Sequence, residues 1–346
     1  MSRRRWFLPG ALLGVLILAI GTFALAKEPL FAASPTRIIV QAVPISSFDN
    51  REPAKFRFGT LEFTGGLALT SSFEAFGGIS ALHMEPDGSH FIAVTDRGSW
   101  LRGRIVYRDG RPEGIADSEM APILGPDGKP LPARGWYDVE SLTESGGLFY
   151  IGIERADRIV RFDLRRDGLS ARGEPVTVPP DFKTFSYNKS LECLAAPGKG
   201  APQAGRLIAV TEHSLDAAGN HRAFVLAGST GVKEVTRFSV KRSDDFDISD
   251  CTILPPNDLL LLERRYSLAR GVAMRIRRVP LALIKEGALV EGKALIEADL
   301  AYQIDNMEGI AVHRNTRGQT VITLVSDDNF SALQRNLLLQ FVLVGE

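Results

Sequence analysis

The sequence predicts an all-β chain folded as a β-propeller, and three observations predict it. Short apolar strands recur that start on an acid, turn, and return through a strand ending in an acid beside a cation. The clearest copy is Asp138-Val139-Glu140-Ser141-Leu142, the turn at Gly146-Gly147, and the run from Leu148 to Arg155. The closing acids Asp96, Glu154, Glu212, Glu263 and Asp327 are separated by 58, 58, 51 and 64 residues. Helix signals are weak throughout, with one turn or two expected at Leu281 to Glu286. A β unit repeated at that period cannot bury its own faces, so the copies stack around an axis as blades.

The chain opens with Arg3, Arg4 and Arg5, an apolar run from Trp6, and Ala24-Leu25-Ala26 as a small-x-small terminus. That order of basic head, apolar middle and cleavage site reads as an export signal over residues 1–26. Arg4-Arg5-Trp6-Phe7-Leu8 also fits the twin-arginine form. The run is long enough to span a bilayer if it stays uncut, which would be the chain's one route to a membrane. Residues 27–346 then form one domain, since no linker composition divides them. Lys+Arg and Asp+Glu both number 41, and removing three arginines with no acid leaves a slight negative charge. Nucleic acid needs a basic footprint, so it is not an expected partner.

Within the domain, Arg37 to Val43 reads as a strand, and Phe56 to Thr70 as two short strands broken by Gly65-Gly66. Neither carries the repeat's acid. Each acid-ended hairpin is followed by two more strand-like runs, except the last, which is followed by Leu337 to Val344 alone. Leu61 to Thr70 is the expected closing strand, supplied from the N-terminal side to complete that blade. The count is five blades of four strands. Six is the alternative if Arg37 to Val43 belongs to a partial blade. Gly110 to Gly135 is too long for an ordinary connection and reads as a functional or covering loop. Cys193 and Cys251 each follow an acid of the repeat. An oxidising compartment would permit a bond between them. Neighbouring inner strands usually lie too far apart for one, so the expectation is two buried thiols.

In an antiparallel hairpin the first residue of one strand faces the last of the next. The opening acids Glu140, Glu192, Asp250 and Glu308 and the five closing acids should therefore gather at one mouth of the central channel. Arg97, Arg155, His213, Arg264 and Arg265 stand beside them. The closing acids are expected to pair with arginines of neighbouring blades, because paired charges bury at least cost. Glu140, Glu192 and Glu308, on the innermost strands, are expected to hold a hard cation such as Ca2+. Asp250, Glu154 and Glu212 are further candidate ligands. His213 is the candidate general acid or base, with Arg97, Arg155 and Arg264 as candidate catalytic cations. There is no G-x-S-x-G, H-E-x-x-H, phosphate loop or dinucleotide fingerprint, which disfavours the common serine, zinc, nucleotide and nicotinamide enzymes.

Gly77-Gly78-Ile79-Ser80 with Val94 to Gly98, Asp138 to Leu142 with Ile153-Glu154-Arg155, Asn188-x-Ser190-Leu191-Glu192-x-Leu194-Ala195, and Leu262 to Ser267 together resemble the phytase-like domain, whose members are described as having esterase-like activity. The resemblance runs from about Phe73 to Phe341. It implies a secreted or periplasmic propeller that hydrolyses a small phosphoester or ester. The D-D-P-A-I-W-type acid motif of calcium-dependent propeller phytases is not present. Three functions follow: a metal-assisted phosphoesterase, a metal-dependent lactonase or carboxylesterase, and a non-catalytic binding propeller.

Overall fold

Five sheets of mainly antiparallel strands surround one axis in the computed structural model, which describes residues 34–227, 235–267 and 271–345. The expected export signal lies outside those residues. Among the described residues no helix is long and apolar enough to cross a membrane.

From the axis outward, the first blade runs Ile79–Met84, His90–Thr95, Ser99–Arg108 and Arg111–Pro122. The second runs Val139–Ser145, Leu148–Ile153, Arg158–Phe162 and Glu174–Val176. The third is Leu191–Ala195, Arg206–Leu215, His221–Ala227 and Val235–Val240, with Leu289–Val290 added in parallel at its edge. The fourth is Asp247–Leu254, Asp258–Ser267, Gly271–Pro280 and Lys293–Asp299. The fifth is Asn306–Arg314, Thr320–Asp327 and Asn336–Leu343, completed by Leu61–Thr70 and then Gln41–Ile45. Each innermost strand touches the next, and the fifth returns to the first.

The apolar core is divided among the five blade interfaces. Leu260, Met274, Leu324 and Phe341 lie between the fourth and fifth blades, and Ile208, Val225, Leu259 and Leu261 between the third and fourth. The run Leu259-Leu260-Leu261-Leu262 shows why. Side chains alternate across a strand, so 259 and 261 face one neighbouring blade while 260 and 262 face the other. A strand covered on both faces must be apolar at every position.

The expected closing strand is where the sequence placed it: Leu61–Thr70 pairs antiparallel with Asn336–Leu343, and five blades result rather than six. The two strands expected over Phe56 to Thr70 are present, but they divide at Gly59-Thr60 into Arg57–Phe58 and Leu61–Thr70, and Gly65-Gly66 lies inside the second. A Cβ on Gly66 would come within 2.7 Å of Leu339 and 2.8 Å of the Leu338 carbonyl, so glycine is there for close approach. The strand expected over Arg37 to Val43 is instead two pieces on different blades. Thr36–Arg37 extends the first and Gln41–Ile45 the fifth, so the segment crosses the closure seam on the outside.

Two expectations are overturned. The first half of the Gly110 to Gly135 excursion is a strand, Arg111–Pro122, reached by a tight turn at Asp109-Gly110 with φ of +53° and +79°. Such an Asp-Gly pair adopts the left-handed conformation that two-residue hairpins require. Bulges at Arg102/Arg104 and Val106/Tyr107 break the alternation that would have marked the pairing. The cysteines are not thiols. Cys193 and Cys251 form a disulfide with a Cα separation of 5.0 Å, because innermost strands of adjacent blades converge toward the axis.

Candidate active site at the channel mouth

All five innermost strands carry a bulge near their start, one residue after pairing begins in blades one to three and two residues after in blades four and five. The unpaired residue is Ser80, Glu140, Glu192, Ser249 and Glu308 in blades one to five. A bulge turns its extra side chain out of the regular alternation, and here Glu140, Glu192 and Glu308 form a first ring at one channel mouth, each close enough to raise a neighbour's pKa, while Ser249 Oγ donates to the Met307 carbonyl of the fifth blade at 3.0 Å. Asp250 is therefore not the counterpart of the other opening acids. It lies one residue beyond the bulge, and its Oδ2 accepts the Ile310 N–H of the fifth blade at 2.7 Å. Residues at this position build the inter-blade seam: Ser141 donates to the Leu191 carbonyl at 3.2 Å, and Cys193 bonds to Cys251.

A second ring comes from the returning strands. Thr95, Ile153, Thr211 and Ser326 pair just before the bulge, so the next residues, Asp96, Glu154, Glu212 and Asp327, reach the mouth. In the fourth blade Glu263 pairs with Ile248 and Arg264 with Asp247. The fourth blade thus presents Arg264 where the others present an acid, and Glu263 faces the opposite way. Glu263 is buried between Arg275 and Arg277, with contacts of 2.5 to 2.8 Å. The expected pairing with a neighbouring blade's arginine fails for Glu263, whose partners lie in its own blade.

The two rings together hold seven carboxylates and one guanidinium. Arg264 donates to Glu308 Oε1, to Asn306 Oδ1 at 2.9 Å and to Glu212 Oε1 at 3.2 Å. Lys189, just before the third blade, reaches both Glu212 oxygens at 3.0 and 2.7 Å. Glu154 Oε1 accepts the Ser190 N–H at 2.8 Å. Carboxylate oxygens of Glu154, Glu192 and Glu212, all buried, lie within 4.8 Å of one another. Glu192 Oε2 and Glu308 Oε2 are buried with no hydrogen-bond partner. An unpartnered carboxylate oxygen in an oxygen-only cluster fits a hard cation, which supplies the missing charge.

The titration behaviour follows from this crowding. Burial, aided by the Asp327 carboxylate, pushes Asp96 up to about 8. Burial likewise raises Glu308 to about 8 despite Arg264, Glu154 to about 7 despite the Ser190 N–H, and Asp327 to about 6. Glu140 and Glu192 are held well above the usual carboxylate range by burial and then by each other's neighbours, Glu308 acting on the first and Glu140 on the second. Gly77 and Gly78 let the backbone pass these acids. Their φ values are +134° and +63°, and a Cβ on Gly78 would collide with Asp96.

Of the candidate ligands, Glu140, Glu192, Glu308, Glu154 and Glu212 share the mouth, and Asp250 lies in the seam. Of the candidate catalytic groups, Arg264 alone is in a ring. Arg155 binds Asp138 and reaches Asn188 at 2.7 Å, and His213 Nδ1 meets Asp247 Oδ1 at 2.8 Å. Each ties its blade to the entrance of the next. Arg97 stacks on Phe330, 3.2 Å from the ring centroid. Sequence reasoning missed Lys189, which precedes its strand and has no counterpart in the other repeats. At the far end of the channel, a cavity of about 540 Å³ is lined by His83, Glu144, Phe149, Arg165 and His313 among others.

The description that matches this chain is "Phytase-like: Esterase-like activity of phytase", over residues 74–330. A search of curated proteins finds no match. Among solved structures, a chain from the S. cerevisiae complex of dbp5 bound to nup159, gle1, ip6 and adp is 12% identical, with a TM-score of 0.39, covering 84% of this chain and 96% of that one. The N-terminal domain of Nup159 is 12% identical with a TM-score of 0.37, covering 83% and 96%. The Dos1 propeller is 11% identical with a TM-score of 0.37, covering 82% and 75%.

Proposed function

This chain belongs to the phytase-like family, and from that premise we propose that it is an exported hydrolase of small phosphoesters, working at the acidic channel mouth with a bound divalent cation. The observation that carries the reading is the convergence of Glu154, Glu192 and Glu212 within 4.8 Å, with Glu192 Oε2 unpartnered. These three would hold the cation, Ca2+ being the best fit to an all-carboxylate set. A cation there supplies the positive charge that polarises a phosphoryl or carbonyl oxygen and lowers the pKa of a bound water.

The chain's own groups supply the rest. Asp96, pushed up to about 8, keeps a proton at neutral pH and is the donor for the leaving oxygen. Arg264 offers the guanidinium that binds an anionic oxygen. Arg155 and His213 hold the rim between blades instead of acting on substrate.

A carboxylic ester or lactone is the second substrate class. The excess of acids over cations favours it, since an uncharged ester meets no repulsion at such a mouth. The test is a melting series in calcium, magnesium and chelator, run beside hydrolysis of p-nitrophenyl phosphate and p-nitrophenyl acetate. Cation-dependent melting with cation-dependent hydrolysis supports the reading. Hydrolysis unchanged by chelator, or no melting shift with either ion, overturns it.

A further inference from the structure

Glu212 differs from the other two acids of its cluster in having both oxygens already engaged by cations. Arg264 takes Oε1, and Lys189 takes Oε1 and Oε2. Glu154 by contrast accepts a backbone N–H, and Glu192 Oε2, buried, has no partner. A divalent ion bound by the cluster and the pair Arg264–Lys189 therefore need the same atoms. Arg264 is not forced to the mouth by the fold's own charge pairing, because Glu263 is already satisfied by Arg275 and Arg277. The slip that puts Arg264 in an acid's place supplies the rings with a resident positive charge.

We propose that Arg264 and Lys189 are internal counter-cations that compete with a divalent cation for Glu212, and that cation binding turns Arg264 toward the substrate's anionic oxygen. The inference rests on the mouth being a cation site. Without an ion, seven carboxylates in low dielectric are tolerable only if protonated or countered, and these two side chains counter Glu212 and Glu308. When an ion takes Glu212, the guanidinium keeps its anchors on Glu308 and Asn306. Its Nη2 donors are then released. A guanidinium presents donors in a fixed fork suited to an oxyanion, so anion binding becomes conditional on the cation.

The experiment is calorimetric titration of calcium into chelator-treated protein for wild type, Arg264→Gln, Lys189→Gln and, as a control, Arg155→Gln. Arg155 is a mouth cation that does not touch Glu212. The side-chain Nε–Hε resonance of Arg264 is followed in the wild type through the same titration. Competition predicts that Arg264→Gln and Lys189→Gln bind calcium about tenfold or more tightly than wild type, while Arg155→Gln stays within about twofold. The Arg264 resonance should move as calcium saturates. Equal affinities in all four proteins with an unmoved resonance overturn the proposal and leave the cation site standing. No calcium binding by any of them removes the cation site itself. If Arg264→Gln does not fold, Lys189→Gln and the wild-type resonance decide. A further arm adds inorganic phosphate with and without calcium: phosphate binding that needs calcium in wild type and is lost in Arg264→Gln supports the coupling, and phosphate binding indifferent to calcium refutes it.

Discussion

Glu263 and Arg264 are neighbours in the chain and opposites in environment, since consecutive side chains of a strand face opposite sides. Glu263 → Gln would leave Arg275 and Arg277 buried without their counter-charge. It should lower unfolding stability by about 3–5 kcal/mol, read as a reduced urea midpoint, with calcium making no difference to the loss. Glu192→Gln should behave in the opposite manner. It puts a neutral amide in place of a buried carboxyl that burial and Glu140 already hold well above the usual range, so stability in chelator should hold or rise, while far more calcium should be needed for the same melting gain. A cation at a hundredfold excess over its dissociation constant stabilises by about 2.7 kcal/mol. The pH response has a definite sign. Asp96 and Glu308 are raised to about 8 and Glu154 to about 7 in the folded chain, against about 4 when unfolded. Between those limits the folded state binds more protons, so stability falls as pH rises. Melting temperature in chelator should drop from pH 6.5 to 8.5, and calcium should restore most at the upper end. A rising or flat curve would show that the mouth acids are ionised in the folded protein.

At the level of the strand, the bulge explains what the sequence could and could not reveal. The repeat of acid-ended hairpins, the blade count and the closing strand were legible because they depend on apolar alternation and spacing. The grouping of Glu140, Glu192 and Glu308 was legible too, since all three occupy the bulge. Asp250 and Glu263 were misaligned by one residue each, because a rule that looks for an acid beside a cation cannot see which way a strand's side chains point. Lys189 and the disulfide depend on how closely blades approach near the axis, which no local pattern records. The seam itself can be tested at Gly309. A Cβ there would lie 2.6 Å from a Val325 methyl and 3.2 Å from the Ala81 backbone. Gly309→Ala should therefore cost about 1–3 kcal/mol through overpacking. The disulfide closes a separation of 58 residues, for which chain entropy gives about 4 kcal/mol. A Cys193→Ala/Cys251→Ala double variant should lose about that much by denaturant titration, without loss of the five-sheet circular dichroism signature.

For the molecule as a whole, closure is the decisive interaction. The fifth blade takes three strands from the N-terminal side, Gln41–Ile45, Arg57–Phe58 and Leu61–Thr70, and three from the C-terminal side. Removing residues 34–45 takes away only edge strands and should lower the melting temperature while leaving a folded ring. Removing residues 34–70 takes away Leu61, Phe63 and Leu67, all buried, and should yield insoluble chain. Limited proteolysis and analytical sedimentation separate the two outcomes, and a soluble, protease-resistant product of the larger deletion would show that the strand is dispensable. The same closure governs how the protein is made. While the ribosome is still working, Leu61–Thr70 has emerged early with only Gln41–Ile45 and Arg57–Phe58 beside it, and its other edge stays bare because Asn336–Leu343 is translated after the strands of the four other blades. Every earlier blade can pair its own hairpins at once, but the circle stays open with an exposed strand edge until synthesis reaches Leu343. A product truncated before that point carries the edge permanently, which marks it for aggregation or degradation and keeps incomplete copies out of the functional pool.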